Sequence, residues 1–228
     1  ANNYSRQMNK VKEGYNRCWN GYAYRHPEYN DCTDDRVQAL AVVSGIAEQD
    51  KYPYIIDLFK KQFYASPYME KYVMEALFVM GEGKYAMERM QKRFAPMVNH
   101  PFYTTLFEGW DIGPNGFGGG TVNHAWSGGP LIVIARYVCG IEPLDAAYKT
   151  FRIAPDDTYL HQAAITIPTI AGEIRSSFES SDGSSTDWDI FSAWRSSSSH
   201  CFSASWVLFS CCLARCRRFR RKCSDNFF

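Results

Sequence analysis

The apolar positions of this chain follow two rhythms, one after the other. Between Thr33 and Cys139 they recur at helical spacing. Val37, Leu40, Ala41, Val43 and Ile46 form a first stripe, introduced by Thr33-Asp34-Asp35, an N-cap followed by acidic first-turn residues. Pro53 opens a second helix, with Ile55, Ile56, Leu58, Phe59 and Phe63 apolar. A third begins at Ser66-Pro67, where proline suits the first helical position. It carries Met69, Tyr72, Val73, Ala76, Leu77 and Met80 and stops at Gly81. A fourth runs from Lys84 to Phe94 with Tyr85, Met87, Met90 and Phe94 inward. Ala125 to Gly140 predicts a further helix, apolar on nearly every side and therefore covered by neighbours. The short connections predict antiparallel hairpins of helices. From Tyr148 the period changes to two. Tyr148 to Ile153, Ala163 to Pro168 and, more weakly, Ile174 to Phe178 predict the start of an antiparallel β layer, with turns at Pro155 and between Pro168 and Gly172.

No period survives beyond Ser180. Serines run together at Ser196-Ser197-Ser198-Ser199, five cysteines crowd between Cys201 and Cys223, and Arg215, Arg217, Arg218, Arg220, Arg221 and Lys222 cluster. One reading is a basic anchor for RNA or anionic lipid. The other is a reading frame that slipped after Asp182, leaving a tail without packed structure. The abrupt end of the β layer favours the second.

Composition narrows the picture only a little. A 228-residue chain that is 46% hydrophobic and 21% charged fits a folded protein, and a formal charge of +1 gives no reason to expect nucleic acid as partner. The longest apolar run, Ser203 to Ala214, is too short to span a bilayer, so no membrane is expected. Ala1 to Lys12 is polar, with neither an initiator Met nor the apolar core of a signal peptide. The expectation is a chain that begins inside a longer polypeptide and has the missing N-terminal part as its partner. The eight cysteines contain no double C-x-x-C, so neither a metal nor a cofactor is assigned.

The residues able to do chemistry concentrate in one stretch: Thr104 to Trp110, a run rich in glycine, then Gly118 to Gly128. It strings together Glu108, Trp110, Asn123, His124 and Trp126. A carboxylate can take a proton from water, indole faces stack on sugars, Asn and His bond hydroxyls, and glycines let the backbone turn and approach a ligand. Each residue also has a plain structural reading. Glu108 could be a helix-end or salt-bridged surface residue, His124 an N-cap or satisfied core histidine, and both tryptophans core. The glycine run has no phosphate-loop lysine and no preceding strand. By residue type alone the stretch predicts a ligand site in a helical barrel.

The motif Glu108-x-Trp110, a Gly-rich turn, then Asn123-His124-Ala125-Trp126-Ser127-Gly128-Gly129 resembles the bacterial α-L-rhamnosidases of glycoside hydrolase family 78. So do Tyr137-Val138-Cys139-Gly140-Ile141-x-Pro143 and Tyr148-x-x-Phe151-x-Ile153-x-Pro155, and, earlier, Thr33 to Val42 and Ala65 to Tyr72. The resemblance runs from Cys32 to Glu179. It implies a mainly α fold: a partial (α/α)6 barrel over residues 1–145, the start of a β-sandwich over 146–182, and a tail over 183–228. It implies an inverting hydrolase that releases α-L-rhamnose from glycans or glycosides, with Glu108 as the general base and His124 in contact with the bound rhamnose. Export to a bacterial periplasm or medium follows by the same analogy. Trp110 as a stacking wall and Asn123 as a loop-fixing hydrogen bonder rest on chemistry alone, and Trp126 is expected to pack into the following helix. Inversion needs a second carboxyl, roughly 6.5–9.5 Å from the first, to protonate the leaving oxygen. Nothing from Ala1 to Asn30 matches the family's acidic motif, and the context of Glu28, the nearest candidate, is wrong.

Two alternatives stay open. One is a carbohydrate-binding remnant that kept the cleft without the catalysis. The other is a different helical-barrel glycosidase or a polysaccharide lyase; the lack of Arg or Lys between Trp110 and Gly128 argues against an acidic sugar.

Overall fold

The computed structural model of the protein describes residues 2–29, 31–112, 120–180 and 186–192. The glycine run over 113–119 and the tail beyond 192 lie outside the described residues. Two compact units divide at Val133/Ile134.

The first unit is helical. α1 spans Asn2–Asn16, α2 Asp35–Val43, α3 Tyr52–Lys61, α4 Pro67–Val79, α5 Gly83–Val98 and the short α6 Gly129–Val133. The start signals act as their chemistry dictates. The Asp34 carboxylate caps α2 by accepting from the Arg36 N–H, and the Ser66 hydroxyl accepts from the Met69 N–H at the start of α4. Proline occupies the first turns of α3 and α4, where its missing N–H costs no helical bond. α4 is central and packs against α2, α5 and α6. Its Val73, Met74, Ala76 and Leu77 are buried, in a core with Ala39, Ala41 and Val42 of α2 and Ile55, Leu58 and Phe59 of α3.

Three features depart from the periodicity. α1 carries Tyr4, Met8, Val11 and Tyr15 at helical spacing, a stripe the periodicity above did not include, and in the fold Tyr4, Met8 and Val11 are exposed. Leu40 and Val43, assigned to the apolar stripe of α2, face outward, because the small Ala39 and Ala41 let α4 approach on the other side. The expected long covered helix after Ala125 is helical through Val138 but irregular, a 3-10 turn, then α6, then a π turn over Ile134–Val138; Val133 and Val138 are buried, whereas Leu131 and Ile132 are 64% and 52% exposed.

Charge ties the helices together inside. The Arg89 guanidinium on α5 donates to Asp35 on α2 at 2.9 Å, to both oxygens of Glu70 on α4 and to the Phe59 carbonyl at the end of α3, and all three charged side chains are fully buried. Burial pushes the Asp35 and Glu70 carboxyls up while Arg89 pulls them back down. Tyr24 is held by Gln38, whose side-chain oxygen accepts from the Tyr24 N–H at 2.8 Å and whose amide nitrogen donates to the Tyr24 carbonyl at 2.9 Å. Burial pushes the Tyr24 phenol up to about 12.

The second unit is β-rich. β1 (Ile141–Pro143) pairs antiparallel with β2 (Phe151–Ile153), Ile141 facing Ile153. β3 (Gln162–Thr169), β4 (Gly172–Ser180) and β5 (Thr186–Ser192) form an antiparallel meander with Ile167 opposite Ile174 and Phe178 opposite Trp188. The pairing continues past Ser180, where the alternating pattern was expected to end; Asp187-Trp188-Asp189-Ile190 alternates in β5, a period too short to stand out among the serines around it. The β1–β2 ribbon meets this sheet where the Ser176 hydroxyl donates to the Cys139 carbonyl at 3.1 Å. Gly140 sits at φ +68 and approaches Ala154 so closely that an added Cβ would lie 2.0 Å from its carbonyl carbon, which leaves room for no other residue. Burial raises the neighbouring Cys139 thiol to about 11, as suits an inert core thiol.

Candidate functional site

After α5 the chain is irregular, and two of its segments run side by side. The Glu108 N–H donates to the Thr121 carbonyl at 2.9 Å, and the His124 N–H donates to the Leu106 carbonyl at 2.8 Å. Hydroxyls fasten the pair. Ser127 donates to the Phe107 carbonyl at 2.5 Å from a buried position, and Thr105 donates to the Val122 carbonyl. This pairing brings together residues that are sixteen apart in sequence, Glu108 and His124, as the motif predicts.

The Glu108 carboxylate is held on one side only. Its Oε2 accepts from the Thr121 N–H at 3.1 Å and from the Thr121 hydroxyl at 3.4 Å. The same oxygen lies 3.7 Å from Nδ1 of His124. Oε1 makes no hydrogen bond among the described residues. The carboxylate is 22% and the imidazole 34% exposed, so both are open to a ligand yet fixed by the fold.

The imidazole stacks on Trp126, with ring centroids 4.3 Å apart, and Trp126 stacks in turn on Tyr68 of α4 at 5.4 Å. The Trp126 indole N–H donates to the Glu108 carbonyl at 3.2 Å. Trp126 is therefore no packing residue inside a helix: it is 39% exposed and is part of the site. It reaches Tyr68 because α6 begins against α4 with no side chain in between; a Cβ on Gly129 would come within 2.7 Å of the Lys71 Cβ.

Trp110 stands further back. Its indole N–H donates to the Ala65 carbonyl at 2.7 Å, the Arg93 guanidinium lies 4.2 Å from its ring centre, and Phe94 meets it edge-on at 5.0 Å. One face of the indole is thus taken by Arg93. Asn123 is exposed and makes no hydrogen bond among the described residues; the pairing of the two segments is fixed by the hydroxyls of Thr105, Thr121 and Ser127. Thr121 and Tyr68 are the site residues that the sequence alone did not single out. Threonine carries no chemical signature, and Tyr68 lies on another helix; only its place in the Ala65–Tyr72 block marked it.

Comparison with known proteins agrees with this architecture. Residues 140–190 match the model of the bacterial alpha-L-rhamnosidase C-terminal domain. No curated protein matches the chain. Among solved structures, the GH78 family rhamnosidase of Bacillus sp. GL1 is similar over 79% of this chain, with a TM-score of 0.65 and 21% identity. The Streptomyces avermitilis alpha-L-rhamnosidase, solved in complex with L-rhamnose, is similar over 79% at 0.62 and 17%. The chain spans 21% and 19% of the lengths of these two proteins. With a rhamnosidase C-terminal domain matched over 140–190 and helices and strands arranged as in two rhamnosidases, the chain shares the GH78 glycoside hydrolase fold, and the family resemblance carried by its motifs holds.

Proposed function

We propose that this chain is a part of an inverting α-L-rhamnosidase in which Glu108 is the general base. In this reading residues 1–145 are part of an (α/α)6 barrel, and residues 146–182 begin the β-sandwich that follows it. One observation carries the reading: a carboxylate oxygen free of hydrogen bonds to described residues, on a side chain whose other oxygen is tethered by Thr121, beside a partly exposed imidazole. Oε1 takes a proton from water as the water oxygen bonds to the anomeric carbon. The bond from that carbon to the leaving oxygen breaks, and a second carboxyl protonates the departing group. That second carboxyl is not assigned to a residue of this chain. His124 receives the rhamnose, and Trp110, through its bond to the Ala65 carbonyl, props the segment that bears Glu108.

Calorimetric titration of the chain with L-rhamnose tests the site. The expected result is binding that weakens by about tenfold in His124→Ala, the equivalent of one good hydrogen bond to the sugar. A chain that gives no heat with L-rhamnose overturns the proposal. A second reading, a carbohydrate-binding remnant, is favoured by the open row His124–Trp126–Tyr68 beside a single assigned carboxylate. Incubation with an aryl α-L-rhamnoside separates the two. With a dinitrophenolate as leaving group, which departs without a proton from the unassigned second carboxyl, release that disappears in Glu108→Gln marks the base, whereas rhamnose binding without any release marks the remnant.

A further inference from the structure

Thr121 is the only described residue in hydrogen-bond contact with both Glu108 and His124, and the direction of its bonds decides what the imidazole can offer a ligand. Its hydroxyl oxygen lies 3.4 Å from Oε2 of Glu108 and 2.9 Å from Nδ1 of His124. A hydroxyl has one hydrogen to give, and a carboxylate can only accept. If that hydrogen went to Nδ1, the hydroxyl lone pairs would face the carboxylate, and the Nδ1 lone pair would lie 3.7 Å from the same negative oxygen. If it goes to Glu108, Nδ1 carries a proton, donates to the hydroxyl and turns a positive edge toward the carboxylate. Every contact is then attractive.

We infer that Thr121 is a positioning residue that holds His124 in the Nδ1–H tautomer, leaving Nε2 as an acceptor for a hydroxyl of the ligand. This rests on the reading of Glu108 and His124 as a sugar site. The residue is otherwise held in place: its backbone N–H donates to the Leu106 carbonyl, and the Trp126 ring lies against the imidazole, tilted, at 4.3 Å. Nε2 is the ring nitrogen that remains, and a lone pair there selects a donor. The site thus discriminates a sugar hydroxyl from a deoxy or carbonyl group at that position.

Long-range nitrogen–proton NMR correlations of the histidine side chains test this, with His124 assigned by its loss in His124→Ala. In the unaltered chain at neutral pH, His124 is expected in the Nδ1–H form. Thr121→Ser, which keeps the hydroxyl, preserves that form; Thr121→Val shifts the ring to the Nε2–H form that an unconstrained histidine side chain prefers and weakens L-rhamnose binding by about tenfold. A merely structural threonine would give the same tautomer in all three proteins. His124 found in the Nε2–H form in the unaltered chain, or unchanged in Thr121→Val, overturns the assignment. The two readings fail separately: an Nδ1–H histidine in a chain that does not bind rhamnose removes the sugar site and leaves the hydrogen-bond chain standing, whereas an Nε2–H histidine in a chain that binds it removes only the role of Thr121.

Discussion

Two carboxylate clusters of the helical unit use similar groups to opposite ends. Around Arg89, Asp35 and Glu70 are sealed from water and paired with a guanidinium that also bonds a backbone carbonyl, and the oxygen left over there, Oδ1 of Asp35, is buried. Around Thr121, Glu108 and His124 stay a fifth to a third exposed, and one carboxylate oxygen is left over. The difference is solvent. A buried charge must be matched by a partner because the interior cannot screen it, so the cluster becomes a fixed joint between α2, α4 and α5. A charge at the surface of a rigid pairing keeps its reactivity, because water supplies the missing solvation and the fold supplies only direction.

The heaviest blow to that contrast is Arg89→Met. It strands the buried Asp35 and leaves Glu70 with Arg93 alone, and the expected cost is about 3–5 kcal/mol, read as a lowered urea midpoint or an unfolded chain. A midpoint unchanged from the parent would show that the cluster is not the joint described. Next is Gly129→Ala. Its Cβ would meet the Lys71 Cβ at 2.7 Å, forcing α6 away from α4 at a cost of about 1–3 kcal/mol in thermal unfolding. Because α6 seats Trp126 on Tyr68, the same variant loses affinity for L-rhamnose, which couples the packed side of the molecule to the open one.

A third test titrates the buried side. The Tyr24 phenol is raised from 10.0 to about 12 in the folded chain, so its contribution to stability is complete below pH 10 and is lost as the pH climbs toward 12. Urea midpoints should fall across that window and then level off, with a flatter profile in Tyr24→Phe; an equal fall in both proteins assigns the alkaline loss to other groups. The smallest effect on stability belongs to Glu108→Gln. Half-open and tethered at one oxygen, this side chain should cost the fold within about 0.5 kcal/mol in either direction. A loss comparable to that of Arg89→Met would erase the distinction between the two clusters.

Much of the helical unit was legible because its signals are local. Asp34 and Ser66 cap the helices they precede, Pro53 and Pro67 sit in first turns, and Val73, Ala76 and Leu77 are buried as their spacing requires. α1 was overlooked although Tyr4, Met8, Val11 and Tyr15 recur at helical spacing, because polar residues outnumber them on every other side of the helix. β5 was overlooked because its alternation, Asp187 to Ile190, covers only four residues between serine-rich stretches. Asp35 shows the limit most clearly. By sequence it is an acidic first-turn residue favoured by the helix dipole, and in the fold it is a buried ion-pair partner of a residue on α5.

By itself, then, the order of residues determined the caps, the apolar stripes and the change from helical to alternating period, because each depends on neighbours a few positions away, and it carried the motif in which Glu108 and His124 stand sixteen residues apart. Only the tertiary structure decided which charges are sealed and which stay open, that Trp126 stacks outward on Tyr68 rather than packing inward, and that Thr121 stands between the carboxylate and the imidazole. Those outcomes depend on distances between segments far apart in the chain, which burial and backbone pairing set and no local pattern encodes.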